Sequence, residues 1–250
     1  MRFVAAGDRE RAFFRGGTGE VLQFGTLGAE RGEGGDLRLV VQQQVFRVHE
    51  AGLHLPRRQV LDIEKGEGGV TALLTDAGRM PVETLVVCAG VHSGELAVKL
   101  GEPVPIEAER GYHVTYSDPG LQLPLPVHVS DAKVFVTPME MGVRVAGQAE
   151  FAGIYADPNY RRADVLESHM KRMFPQVRTS DSTRWMGRRP AMPDSLPVIG
   201  ASVKQKNVYY AFGHGHLGLC GGAPTGRLIA DLVSGRKPAI DLSPFRVNRF

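Results

Sequence analysis

Phe212-Gly213-His214-Gly215-His216-Leu217-Gly218-Leu219-Cys220-Gly221-Gly222-Ala223-Pro224-Thr225-Gly226 is a glycine-dense turn set between an apolar strand pattern, residues 207–212, and an amphipathic helix pattern, residues 225–234. A strand that passes to a helix through glycines brings its backbone close to a ligand with N–H donors pointing outward, and the helix adds the positive end of its dipole. The stretch therefore predicts an α/β fold with this turn facing an electron-rich group. Gly213, Gly215 and Gly218 satisfy G-x-G-x-x-G. A complete dinucleotide unit also needs a parallel return strand and an acidic residue about 20 positions on. Only residues 236–250 follow Gly235, and Pro238 and Pro244 interrupt any long strand there. The turn is read as closing over one part of a ligand held elsewhere.

Upstream, Leu85-Val86-Val87-Cys88-Ala89 is apolar without alternation, the pattern of a strand covered on both faces. It ends at Gly90, before a helix expected over residues 93–100 with Ser93 as N-cap. Open α/β sheets hold ligands at such strand ends, and plain strand-to-helix packing produces the same pattern. Further back, residues 53–55, 59–64, 70–75 and 80–82 read as short strands, with Asp76-Ala77-Gly78 as a turn. Residues 39–50 read as a helix stopped at Gly52, and residues 1–38 carry glycines that break every period.

Pro103 and Pro105 mark a change of character. Residues 109–116 and 133–151 read as strands, the second folded back at Met139-Glu140-Met141-Gly142. Residues 162–173 read as a helix with Val165, Leu166, His169, Met170 and Met173 on one face, ending at Pro175. The expected architecture is α/β with an α+β insert: one domain from residues 1–102 and 187–250, interrupted by an antiparallel-sheet domain over residues 103–186.

At 250 residues, a net charge of +3 and 42% hydrophobic content, the chain is expected to bury a sizeable core, and neither a polyanion partner nor disorder is indicated. The arginines are scattered and no aromatic platform interleaves with them, which argues against nucleic acid. No apolar run reaches the ~18 residues that span a bilayer. The first ten residues lack the apolar stretch of a secretory signal, so a cytoplasmic location is expected. Cys88 and Cys220 lack metal-ligand spacing and are read as buried free thiols, with no metal site.

Trp185-Met186-Gly187-Arg188-Arg189-Pro190-Ala191-Met192-Pro193-Asp194-Ser195-Leu196-Pro197-Val198-Ile199-Gly200 returns the chain from the insert, and its three prolines predict an extended path. An arginine fork grips a carboxylate through two parallel bonds. Arg188 and Arg189 are read either as a clamp for an anionic substrate or as bridges to surface carboxylates. This string, followed by the residue 213–218 turn, resembles the C-terminal signature of the FAD-dependent D-amino-acid oxidase superfamily, in particular bacterial D-amino-acid dehydrogenases of the small-subunit type. Residues 85–90 resemble that family's second flavin strand, and Arg110-Gly111-Tyr112-His113-Val114-Thr115 resembles the start of its substrate sheet. The likeness covers residues 50–250.

The resemblance implies FAD as cofactor, with residues 1–102 and 187–250 as a partial FAD-binding domain and residues 103–186 as the substrate domain. It implies that Val60 lies beside the nucleotide through its backbone and that Ala89 and Gly90 allow close approach. Gly213, His214, Gly215, His216, Leu217, Gly218 and Leu219 would line the isoalloxazine end. Arg189 would clamp the substrate carboxylate, and Tyr112 and His113 would reach the same pocket. The implied reaction is oxidation of a D-amino acid or cyclic secondary amino acid to an imino and then a 2-oxo acid, by hydride transfer to flavin. A neutral substrate amine suffices for it, so His214 and His216 are read as polar lining or turn hydrogen bonders, with acid–base catalysis as the alternative. Oxygen or a quinone would accept the electrons, the latter placing the protein at the periphery of the inner membrane.

The family opens with a βαβ unit that holds the FAD pyrophosphate. Here Gly17-Thr18-Gly19 is followed by Leu22 where a third glycine belongs, and Gly32-Glu33-Gly34 by Leu37. The chain is therefore read as a fragment, a truncated reading frame or one component of a larger assembly in which a partner chain would supply that element. The competing reading is a non-catalytic fragment or subunit that keeps the substrate domain and acts as a binding module.

Overall fold

A computed structural model describes residues 59–250 and, of residues 1–58, only the backbone of short strands. Those strands are β1 (Phe3–Val4), β2 (Phe13–Arg15), β3 (Val21–Gln23), β4 (Gly28–Arg31), β5 (Leu37–Val41) and β6 (Gln44–Val45). Then come β7 (Val60–Gly66), β8 (Gly69–Thr75), β9 (Gly78–Pro81), β10 (Thr84–Val87) and α1 (Ser93–Leu100). The middle of the chain forms β11 (Glu107–Tyr116), β12 (Val127–Val129), β13 (Val134–Met139), β14 (Gly142–Phe151), α2 (Arg161–Met173) and β15 (Ser182–Ala191). It closes with β16 (Val198–Ala201), β17 (Val208–Phe212) and α3 (Gly218–Val233). Two compact units result, Met1–Ile106 with Pro190–Phe250, and Glu107–Arg189.

The first unit is built on a sheet of order β1-β10-β17-β16. β10 runs parallel to β1 and to β17, with Val87 opposite Tyr210, while β16 is antiparallel to β17. The apolar run predicted to be covered on both faces is so covered. Leu85 and Val87 pack with Tyr210 and Phe212 against α1 (Leu96, Ala97, Leu100) and the β7-β8-β9 meander (Ile63, Val70, Leu73). Val86 and Cys88 point the other way, against Leu228 and Ile229 of α3. Strand alternation sends neighbouring residues to opposite layers, and each layer is apolar. Asn207 ties the meander to this sheet. Its Oδ1 accepts from the Val70 N–H at 2.9 Å and its Nδ2 donates to the Val70 and Glu83 carbonyls at 2.7 and 2.9 Å. The buried Glu102 carboxylate accepts from the Tyr210 hydroxyl at 2.6 Å, from the Val203 N–H at 2.8 Å and from the Ser202 hydroxyl, so its charge is met on all sides.

The second unit is a five-stranded sheet of order β12-β13-β14-β11-β15 with α2 on one face. Ala163, Leu166 and Met170 of α2 bury against Tyr112, Val114, Tyr116, Val134, Val136, Val143 and Val145. The sheet's inward residues are mostly β-branched and aromatic at period two, the composition that packs on a pleated surface.

Several expectations need correction. Leu37–Val41 and Gln44–Val45 are strands where a helix from residue 39 was expected; consecutive valines at 40 and 41 favour extended backbone, and the rest of that stretch lies outside the described residues, as do residues 53–55. Both N-terminal glycine groups, Gly17-Thr18-Gly19 and Gly32-Glu33-Gly34, lie outside the described residues. Val165 is 43% exposed and off the buried face of α2. α3 starts at Gly218, seven residues before the expected position, with Pro224 inside it. The glycines that suggested a loop are helical because Gly222 and Gly226 are buried, and burial outweighs their poor helix propensity. Ser93 is the first helical residue of α1; the N-cap is His92, with no side-chain cap bond. The path after β15 is extended only to Ala191, then turns where the Ser195 N–H bonds the Met192 carbonyl and Ser195 adopts φ of 60°. Cys88 is buried as expected, but Cys220 is exposed.

Candidate functional site

Because β10 and β17 are adjacent and parallel, their C-terminal ends open on the same edge of the sheet, and the sequence places a glycine turn at each. Ala89 and Gly90 follow β10; Gly90 has φ of 58° and starts a short 3-10 turn that becomes α1. Gly213 follows β17 with φ of 83°, and Gly215, with φ of 52°, starts the 3-10 turn that becomes α3. These left-handed values favour glycine. At Gly213 a Cβ would also sit 2.8 Å from Met192 Cγ, whereas at Gly215 it would meet nothing within 4 Å among the described residues. The space over Gly215 is thus open while the backbone beneath it is fixed.

The remaining residues of the turn divide. His214 is turned back onto its own helix, its Nε2 2.9 Å from the Thr225 hydroxyl and its ring against Gly221. This is the turn-bonding role weighed for it in sequence. His216 is exposed, Leu217 is 69% and Leu219 53% exposed, and Gly218 is half-buried. Val60 opens β7 in the separate meander sheet, paired with Thr75, so strand pairing does not bring it to the edge that Gly90 and Gly213 share. One residue whose sequence reading was only a cap acquires a different character. Ser93 is fully buried, and among the described residues its hydroxyl has no hydrogen-bond partner, a costly state for a polar group at a helix start.

In the second unit β11 and β15 are neighbours, and their outer face carries the chemistry. The Arg189 guanidinium lies over Gly111: a Cβ there would fall 2.2–2.4 Å from Nη2, Cζ and Nη1. Arg189 is 31% exposed and its Nη1 is 3.3 Å from the Glu109 carboxylate. His113, on the same face of β11, stacks on the Trp185 ring at 4.8 Å between centroids and 20° between planes. Burial, reinforced by the positive charge of Arg144, lowers the His113 pKa to about 4, so the ring is neutral at physiological pH. Trp185 lies flat because Gly187 offers no side chain; a Cβ there would be 2.1 Å from Trp185 Cη2.

Tyr112 does not join His113, and the expectation that both reach one pocket is corrected by the period of two. Tyr112 is 1% exposed in the layer under α2, its hydroxyl donating to Glu150 at 2.5 Å and accepting from the Asn159 N–H at 3.0 Å. Desolvation, with the Glu150 carboxylate beside it, raises its pKa, so it stays protonated. Arg110, which carried no role in the sequence reading, is fully buried. It donates to the carbonyls of Gly153, Asp157, Ala152 and Ala156 at 3.0, 3.1, 3.3 and 2.6 Å, tying down the loop between β14 and α2. Arg188 Nε donates to the Ile154 carbonyl at 2.7 Å. Of the two arginines read as clamp or bridge, Arg188 serves the loop, and Arg189 lies over the glycine.

Parallel strands ending in left-handed glycines at two helix starts, in a chain interrupted by an antiparallel sheet carrying arginines, define a mixed α/β cofactor-binding protein with an inserted sheet unit. The chain belongs to the DAO family of FAD dependent oxidoreductases, whose model matches residues 24–232. It is 38% identical over 231 residues to a D-amino-acid oxidase of Bradyrhizobium diazoefficiens, covering 91% of this chain and 55% of that protein. It is 31% identical over 229 residues to a D-amino acid dehydrogenase of Rhizobium rhizogenes, covering 90% and 55%. Among solved structures, glycine oxidase from Geobacillus kaustophilus matches with a TM-score of 0.66 at 24% identity, over 77% of this chain and 52% of that one. The chain spans about half the length of the curated relatives it matches.

FAD is the cofactor of this family, and the residues present fit a flavin. The open space over Gly215, the left-handed glycines and the unsatisfied Ser93 hydroxyl together offer room and donors to a flat group rich in carbonyl and phosphate oxygens. Among the described residues no helix is long and apolar enough to cross a membrane.

Proposed function

We propose that this chain supplies the substrate unit and the carboxy-terminal part of the flavin site for oxidation of a D-amino acid to its imino acid, which water converts to a 2-oxo acid and ammonia. The unit Met1–Ile106 with Pro190–Phe250 is the flavin-binding part and Glu107–Arg189 the substrate part. Gly90, Gly213 and Gly215 bring backbone against the cofactor, Ser93 donates its hydroxyl to it, and the start of α3 places a helix dipole beside it. When bound, FAD supplies the acceptor for the two electrons that leave the substrate α-carbon.

Arg189 holds the α-carboxylate in a bidentate grip and so fixes which α-carbon bond is presented. Glu109, its carboxylate 3.3 Å from Arg189 Nη1, orients the guanidinium. His113 and Trp185 form an uncharged wall that excludes water from the substrate without contributing a proton. The substrate enters with a neutral amine, and His214, engaged by Thr225, is not required as a base. The observation that carries this reading is the pair of left-handed glycine turns on one edge of parallel strands, with space left open at Gly215. Its test is anaerobic mixing of the FAD-loaded protein with a panel of D-amino acids, their L-enantiomers and cyclic secondary amino acids. Bleaching of the flavin band by D-amino acids supports the reading, and a band unchanged by every member of the panel rejects it.

A further inference from the structure

Along the outer face of β11, Glu109, Gly111, His113 and Thr115 follow one another at period two, and each has a neighbour from another strand on that face. Arg189 lies over Gly111, Trp185 stacks on His113, and Arg144 of β14 stands opposite Thr115, donating from Nε to the Thr115 hydroxyl at 3.1 Å. Arg144 is half-buried, and among the described residues it makes no ion pair and no hydrogen bond through its Nη atoms. Desolvation by itself lowers its pKa, with no carboxylate raising it. An arginine cannot shed its charge to relieve that burial, so a half-buried guanidinium with idle donors is a place for an anion. Gly111 and Thr115 are four residues apart on one strand, about 13 Å at the usual rise. Two carboxylate grips above strand positions that far apart leave room between them for the short carbon chain of an amino dicarboxylic acid.

We propose that Arg144 is a second carboxylate clamp and that the substrate class is a D-amino acid with an anionic side chain, its α-carboxylate on Arg189 and its aliphatic stem across Trp185 and His113. This rests on the reading of Arg189 given above. A neutral His113 between the clamps adds no third charge, and the indole offers the stem an apolar surface.

Trp185 is the sole tryptophan of the chain, so its emission reports ligand arrival on this face. The experiment titrates the full chain with D-glutamate and with its neutral isostere D-glutamine, for the native chain, Arg144→Gln, Arg144→Lys and Arg189→Gln. The native chain is expected to prefer D-glutamate by about tenfold or more, the ordinary worth of a charge-assisted contact. In Arg144→Gln the ratio falls to about one, and Arg144→Lys, which keeps the cation, restores part of it. Equal affinities in the native chain, or a preference that persists in Arg144→Gln, would overturn the second clamp while leaving the first intact. If Arg189→Gln binds both ligands as tightly as the native chain, the α-carboxylate reading fails, and this inference with it.

Discussion

Arg189 and His113 are the side chains whose environments make the sharpest statements. Arg189 is partly shielded and already faces Glu109, so under the proposed reading its removal leaves a substrate carboxylate without a partner in a partly dry setting. Arg189→Ala should cost about 2 kcal/mol, roughly a thirtyfold rise in KM. Steady-state kinetics checks this, and an unaltered KM would remove Arg189 from the clamp. The His113 pKa is depressed in the folded state from 6.5 to about 4, chiefly by burial. Between those values the unfolded chain binds more protons than the folded one, so stability is full above pH 6.5 and declines as pH falls toward 4, with no further loss from this group below that. Replacing the ring by His113→Gln should flatten this decline; denaturant midpoints at pH 7 and pH 5 measure it, and an equal drop in both proteins would acquit His113. The sequence named both residues but could not separate His113 from Tyr112, because a resemblance lists positions while the pleat decides which face each one serves. Arg144 and Trp185 had a readable signal that went unused, polar or aromatic positions interleaved with Val143, Val145 and Met186.

Among the secondary-structure elements, those with one dominant signal were legible and those with competing signals were not. β10 and α1 were read from an uninterrupted apolar run and a glycine stop, and both lie where expected. The start of α3 was missed because glycine propensity and tertiary burial pull in opposite directions there, and β12, only three residues long, is too short to carry a period. The β11–β15 pair depends on two missing side chains, which gives separable predictions. In Gly111→Ala the intruding Cβ meets the far end of a flexible arginine, so stability should change little while the guanidinium is displaced; KM should rise as in Arg189→Ala. A KM left at the native value would show that the position over Gly111 is not the one used. In Gly187→Ala the Cβ meets a rigid indole instead, and Trp185 must leave its stack on His113. Its emission should shift to the red, and an unchanged spectrum would mean the stack is not maintained in solution.

For the whole molecule, the α/β character and the inserted sheet were both visible in the sequence, since the Pro103–Pro105 change of character falls close to where Glu107 opens the second unit. Relatives of which this chain covers 55% match it over 90% or more of its own length, and the features that connect it to flavin chemistry are backbone features. Glycine turns, strand ends and helix starts depend on topology, and this is why a glycine spacing that fails as a complete nucleotide unit still supports the proposed cofactor edge once β10 and β17 are seen to be parallel. The central claim is that this edge holds FAD, and Gly215 is where it is most exposed to test, because among the described residues a Cβ there meets no atom within 4 Å; its φ of 52° strains any other residue, so the variant's fold is checked alongside its cofactor binding. The deciding measurement is an FAD titration followed by quenching of flavin fluorescence, on the native chain and on Gly215→Val at a temperature where circular dichroism shows both folded. Saturable quenching by the native chain that is lost in the variant is the predicted result; equal affinities, or no quenching by either, would contradict the account.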